Sequence, residues 1–169
     1  MTERRRLVVM RHAKAEPYAS TDHARRLTER GRAQARAAGE RLRELGLVPD
    51  HAIVSTAERS VMTWTELAAA SGSEVGPQLD AAVYSGGVDV LLEAIQTTPE
   101  HASAVIFIGH NPSAAYLAHL LDDGEGDPES VGGMLRGFPP GALVVFEVPG
   151  CWTELSPESA RVVGFFAPD

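Results

Sequence analysis

Long apolar runs are missing from this 169-residue chain, and nothing in it approaches the roughly 20 residues that a membrane-spanning helix needs. No secretory signal is read ahead of Arg11-His12, because Arg4-Arg5-Arg6 passes straight into an apolar strand, and a cytoplasmic location is expected. Cysteine is nearly absent: Cys151 stands alone, so no internal disulfide can form. With no histidine at metal-ligand spacing, Cys151 reads as a packed or surface thiol, and no metal is expected. A basic excess is lacking too. Lys and Arg number 15 against 23 Asp and Glu, and the net charge of −8 counts against nucleic acid or an acidic membrane as the main partner. Arg4-Arg5-Arg6 is too short for a nucleic-acid arm. There is no internal repeat and no linker, and the 44% hydrophobic content is that of an ordinary globular core, so one domain over 1–169 is expected.

What is present is a set of short apolar segments alternating with helical periodicity. Residues 7–10, 52–54 and 104–108 read as strands. Thr28 opens a long helix to about Leu45, with Leu42 and Leu45 on its core face, Gly46 as its stop, and Arg30, Arg32, Arg36, Arg41 and Arg43 on a solvated face. Further helices are predicted over 58–70, with Val61, Trp64, Leu67 and Ala68 inward, over 88–96 and over 113–121. The acidic, glycine-containing segment 122–129 is expected to be a mobile loop, and 142–148, 152–155 and 162–166 to be strands. This alternation implies a three-layer α/β/α architecture, its central sheet mainly parallel with antiparallel pairing at one edge.

Ligands of such sheets bind at the carboxyl ends of the strands. The first strand delivers Arg11-His12 there, and an imidazole beside a cation can attack phosphorus. The second runs into Ser55-Thr56-Ala57-Glu58-Arg59, where Ser55 or Thr56 is expected to cap the helix and Glu58 suits its dipole. The third ends in Gly109-His110-Asn111-Pro112, with Gly109 permitting close backbone approach and Pro112 suited to a first helical turn.

Taken in order, Arg11-His12-Ala13-Lys14, Asp22 with Arg25 and Leu27-Thr28-Glu29-Arg30-Gly31, Ser55 with Arg59, and Gly109-His110-Asn111-Pro112 resemble the histidine phosphatase superfamily. Its other well-known branch is the cofactor-dependent phosphoglycerate mutases, and the nearer likeness is to the small SixA-type phosphohistidine phosphatases. The resemblance implies that His12 is the nucleophile, that Arg11 and Arg59 clamp phosphate oxygens, and that His110 completes the cage as a second imidazole donor. It requires no metal and no cofactor. Where the wider superfamily commonly has glycine after Arg-His, this chain has Ala13. Lys14 follows, either a charge at the mouth of the site or a solvated loop residue.

The general acid has several candidates. Members of the superfamily often place it in the segment corresponding to 82–89, which here offers no acid before Asp89, and Asp89 reads as a residue of a first helical turn. Glu16 and Asp22 are the other carboxylates; Asp22 has the alternative role of orienting Arg25. A phosphohistidine substrate lowers the demand, because its imidazole leaving group has a conjugate-acid pKa near ~6.5, whereas an alkyl phosphate needs a positioned acid. Of the remaining histidines, His23 lies in a loop from which it can reach the cleft, His51 and His101 precede strands at the opposite end of the sheet, and His119 sits on a helix face.

Three readings follow. The first is a phosphatase acting on phosphohistidine displayed by a protein, suited by a small open cleft with a local positive field. The second is a small-molecule phosphomonoesterase of the same superfamily, and the third a non-catalytic phosphate-binding module.

Overall fold

The computed structural model describes residues 4–168. Its centre is β1 (Arg5–Arg11), whose four inner residues are all buried: Leu7 and Val9 feed one apolar layer, Val8 and Met10 the other. Such a continuous apolar run is what a strand covered on both faces requires. β1 pairs in parallel with β4 (Ala104–Gly109), which pairs in parallel with β2 (His51–Ser55), and the short β3 (Gln78–Asp80) extends that side. On the other side β5 (Leu143–Val148) pairs antiparallel with β1, and β6 (Arg161–Phe166) pairs antiparallel with β5, giving the order β3-β2-β4-β1-β5-β6.

Helices cover both faces. α1 (Glu29–Glu44), capped by the Thr28 hydroxyl, and α2 (Glu58–Ser71) pack Leu42, Trp64 and Leu67 on one side. α3 (Ala81–Ser85), α4 (Val88–Gln96), α5 (Ser113–Leu121) and α6 (Pro128–Arg136) contribute Val83, Leu91, Leu117 and Met134 to the other. Among the described residues, no helix is long and apolar enough to cross a membrane.

Several local expectations are corrected. Residues 152–155 are not a strand: the Glu100 carboxylate accepts from the backbone N–H groups of Trp152 (3.1 Å) and Thr153 (3.2 Å), and the Trp152 indole donates to the Ala102 carbonyl at 2.9 Å, which winds Trp152–Glu154 into a 3-10 turn. The acidic segment 122–129 does not run as a loop to its end, since the Asp127 side chain caps α6 and Pro128 opens it. β3 and α3 were not foreseen. Leu45 is exposed as the C-cap of α1 rather than buried with Leu42. The arginine face of α1 is solvated as expected at Arg30, Arg36, Arg41 and Arg43, with Arg36 paired to Glu66 at 3.0 Å and Arg41 lying 4.5 Å over the Phe166 ring; Arg32 alone is half-buried.

α1 and α2 touch at backbone distance. A Cβ added at Gly39 would lie 2.4 Å from the Leu67 carbonyl oxygen and 2.8 Å from the Ala70 Cβ, so the helices would have to separate. Gly39→Ala is therefore expected to destabilise the protein by about 1–3 kcal/mol in denaturant titration despite alanine's better helix propensity; an unchanged or raised midpoint would contradict this packing.

Candidate phosphate-binding active site

The carboxyl ends of β1, β2 and β4 meet at one point, and each delivers a polar group there. His12 follows β1 and is only 7% exposed. Its backbone is fixed from three elements: its N–H donates to Gly109 O at 3.0 Å, its carbonyl accepts from Gly141 N–H at 2.9 Å, and the next N–H, of Ala13, donates to the Thr63 hydroxyl of α2 at 3.1 Å. Gly141 makes its bond at φ 84°, a left-handed conformation that suits glycine. The Gly109 side, by contrast, is filled by protein, since an added Cβ would meet the Phe107 ring at 2.8 Å.

The His12 Nδ1 lies 2.8 Å from the Ala13 carbonyl oxygen, which can only accept, so Nδ1 carries the proton and Nε2 presents a lone pair. That lone pair faces the Arg59 Nε–H at 3.3 Å. Arg59, on the first turn of α2 and 5% exposed, also donates through Nη2 to His110 Nδ1 at 3.3 Å. A guanidinium cannot accept, so the neutral His110 holds its proton on Nε2 and donates it to the buried Ser55 hydroxyl at 2.7 Å. Ser55 Oγ also accepts from Ala57 N–H at 3.2 Å. Ser55 thus orients His110 instead of capping α2; Ala57 occupies the cap position, with no side-chain cap.

Arg11 completes the cluster from below. Its Nη1 donates to the Phe138 carbonyl at 3.2 Å, an oxygen shared with the Asn111 amide at 2.8 Å. The buried Arg11 Nε–H has no hydrogen-bond partner among the described residues. An orphaned buried donor costs about 1–3 kcal/mol. Burial, then the neighbouring Arg59, lower the Arg11 pKa.

Both imidazoles are held neutral. Burial first, then coupling to His110 and the guanidinium charges of Arg59 and Arg11, push the His12 pKa down to about 3 against its hydrogen bond to Ala13. Burial, followed by Arg59, pushes His110 down to about 4. Asp22 is held charged: the Tyr84 hydroxyl donates to its Oδ2 at 2.6 Å, and this bond, with Arg59 and Arg25, lowers the carboxyl pKa to about 2. Arg59 Nη2 meets the same Oδ2 at 3.2 Å, and Arg25 Nε meets Oδ1 at 3.1 Å.

Residues 7–83 match the model of the histidine phosphatase superfamily (branch 1). A solved structure from Nakamurella multipartitia, named a "putative phosphohistidine phosphatase SixA", is 34% identical, covers 99% of this chain and 98% of its own, and superposes with a TM-score of 0.85. This chain belongs to the histidine phosphatase superfamily. Rv1276c, a protein of Mycobacterium tuberculosis, is 30% identical over 161 residues, spanning 94% of this chain and 99% of its own. The protein histidine phosphatase SixA complexed with tungstate shares the fold at a TM-score of 0.78 and 22% identity, over 96% of this chain and 97% of that one.

Within this superfamily member, the structure gathers Arg11, His12, Arg59 and His110 into one cluster and attaches Asp22 and Arg25 to it through Arg59. It leaves Glu16 and Lys14 outside: both are exposed, and neither side chain enters the hydrogen bonds around His12. Asp89 sits in the first turn of α4, as read from the sequence. His23 donates or accepts at the Thr56 hydroxyl (3.0 Å) and packs edge-on against Tyr84. Tyr84 and Thr63 were missed. Tyr84 lies within 82–89, the segment corresponding to the superfamily's usual acid, but only the pairing of α3 with the loop after β1 shows its partner.

An imidazole NMR titration checks the electrostatics. Between pH 8 and 5, neither His12 nor His110 is expected to protonate; a midpoint near ~6.5 at either would contradict the geometry. The unfolded chain binds these protons below ~6.5 while the folded one refuses them until about 3 and 4, so stability is expected to fall as pH drops through that window.

Proposed function

We propose that this protein is a phosphatase that removes the phosphoryl group from phosphohistidine on a protein, through a phospho-His12 intermediate. The observation that carries this reading is the His12 ring itself: tied at Nδ1 to Ala13 O, it directs an unprotonated Nε2 at a cluster of cationic donors. In the first transfer the Nε2 lone pair forms a bond to phosphorus as the bond from phosphorus to the substrate imidazole breaks, its electron pair returning to that ring. The charge on the three equatorial oxygens is met by Arg11, including its orphaned Nε–H, and by Arg59. A dianionic phosphoryl group offsets the burial and the Arg59 charge that keep His110 neutral, so His110 takes up a proton from water and donates from Nδ1. In the second transfer water attacks phospho-His12 and releases phosphate.

The preference for an imidazole leaving group rests on Asp22. A carboxyl held at about 2 is not an acid at neutral pH, so an alkoxide leaving group finds no proton there. An imidazole leaves as the neutral ring once its distal nitrogen is protonated, and with a conjugate-acid pKa near ~6.5 it takes that proton from water near neutral pH without an acid of the site.

Phosphate release from a phosphohistidine-bearing protein is expected to exceed that from alkyl phosphomonoesters. His12→Ala is expected to abolish both, and Arg59→Ala to cut kcat/KM by about 10²–10³-fold. Full turnover by His12→Ala overturns the scheme, and a preference for alkyl esters moves the protein to small-molecule substrates.

A further inference from the structure

Among the described residues Asp22 is the one anion tied to the cationic cluster, and its placement is over-determined. It reaches the reaction centre through Arg59, whose guanidinium touches His12 with Nε and His110 and Asp22 with Nη2, while Nη1 donates to the Asp22 backbone carbonyl at 2.8 Å. Tyr84 from α3 and Arg25 from its own loop hold the carboxylate from the other sides. A carboxylate offers about four acceptor positions. Three are taken here, by Tyr84 and Arg59 on Oδ2 and by Arg25 on Oδ1, and the side chain remains 56% exposed on the solvent side of Arg59. Beside it the Tyr84 ring stands edge-on to His110 (5.4 Å between centroids) and to His23 (4.9 Å), forming an aromatic wall.

For a phosphate-binding site this anion is a cost, since it repels the substrate's own oxygens and competes for Arg59. The cost is offset if the substrate brings a positive charge. We infer that Asp22 is a specificity-determining residue whose free acceptor position takes a hydrogen bond from the protonated distal nitrogen of a phosphoimidazole ring, so that the site selects leaving groups that enter as cations. This rests on the phosphohistidine reading above. With the distal nitrogen protonated, cleavage of the phosphorus–nitrogen bond returns the electron pair to the ring and releases neutral imidazole. Phosphoimidazolium and water thereby give imidazole and dihydrogen phosphate, with His12 regenerated and no further proton donor needed. An alkyl or aryl ester has no such proton to share, and meets Asp22 only as a like charge.

The test compares N-phosphoimidazole with p-nitrophenyl phosphate, whose leaving group needs no proton, using wild type and Asp22→Asn over pH 5–9. The groups facing Asp22 are Tyr84, Arg25, Arg59 and, across Arg59, His110. Any titration of theirs appears with both substrates, so a basic limb seen only with phosphoimidazole belongs to the substrate ring. In the kcat profile, which reports the bound ring, that limb is expected in wild type to be displaced upward by the carboxylate. Asp22→Asn is expected to move it down by about one pH unit and to cut the phosphoimidazole-to-ester ratio of kcat/KM at least tenfold at pH 8, a tenfold change being the rate equivalent of one unit. The ester rate of Asp22→Asn divides out any general loss to the cage, so the ratio reports the leaving group alone. Equal losses on both substrates with the limb unmoved would overturn the inference, leaving Asp22 an anchor for Arg59. Wild-type protein that cleaves the ester but neither phosphoimidazole nor a phosphohistidine protein would overturn the phosphohistidine reading itself.

Discussion

The 2.8 Å hydrogen bond from His12 Nδ1–H to the Ala13 carbonyl decides which nitrogen of the ring is free, and the rest of the site depends on that choice. A carbonyl one residue along can be reached only if the chain turns sharply after β1, and that turn is held by bonds from the Ala13 N–H to Thr63 and from Gly141 N–H to the His12 carbonyl. Thr63 in turn donates to the carbonyl of Arg59 at 2.7 Å. The backbone that shapes His12, the proposed nucleophile, is therefore fastened to the helix that carries Arg59. Such fixing lowers the cost of arranging nucleophile and donors at the moment of reaction.

Electrostatics then follow from burial. Two arginines side by side would repel, and two imidazoles between them stay neutral because both solvent exclusion and the guanidinium charges oppose protonation. The pocket is thus a field of positive charge with a lone pair at its floor, set within a chain of net charge −8. Asp22 tempers that field on its solvent side, and Tyr84 keeps it ionised by donating to it.

The parts legible in the sequence were those written locally. Apolar runs ending in Arg11-His12, Ser55 and Gly109-His110 showed strands delivering polar groups to one end of a sheet, and the sheet order confirms that β1, β2 and β4 are neighbours. Helix bounds were close for α1, α2, α4 and α5, where periodicity and end signals agree. What failed depended on distant partners. Trp152 to Leu155 has strand-like composition, but the carboxylate of Glu100, some fifty residues earlier in the chain, sets its backbone. Ser55 looks like a helix cap until His110 claims its hydroxyl. The Asp127-Pro128 start of α6 was a local signal, masked by the acidic residues around it. Asp22 was visible, but its ionised state was not, because Tyr84 and Arg59 reach it only in the folded chain.

The most direct test of the account is to locate phosphorus on the protein during turnover. A brief reaction with a phosphohistidine substrate, quenched under alkaline conditions that preserve phosphoimidazole, should yield phosphate on His12 at Nε2, identified by peptide mass and by phosphorus–proton NMR of the ring. Phosphorus on the Nδ1 of His12, on His110, or on no histidine while substrate is consumed would contradict it.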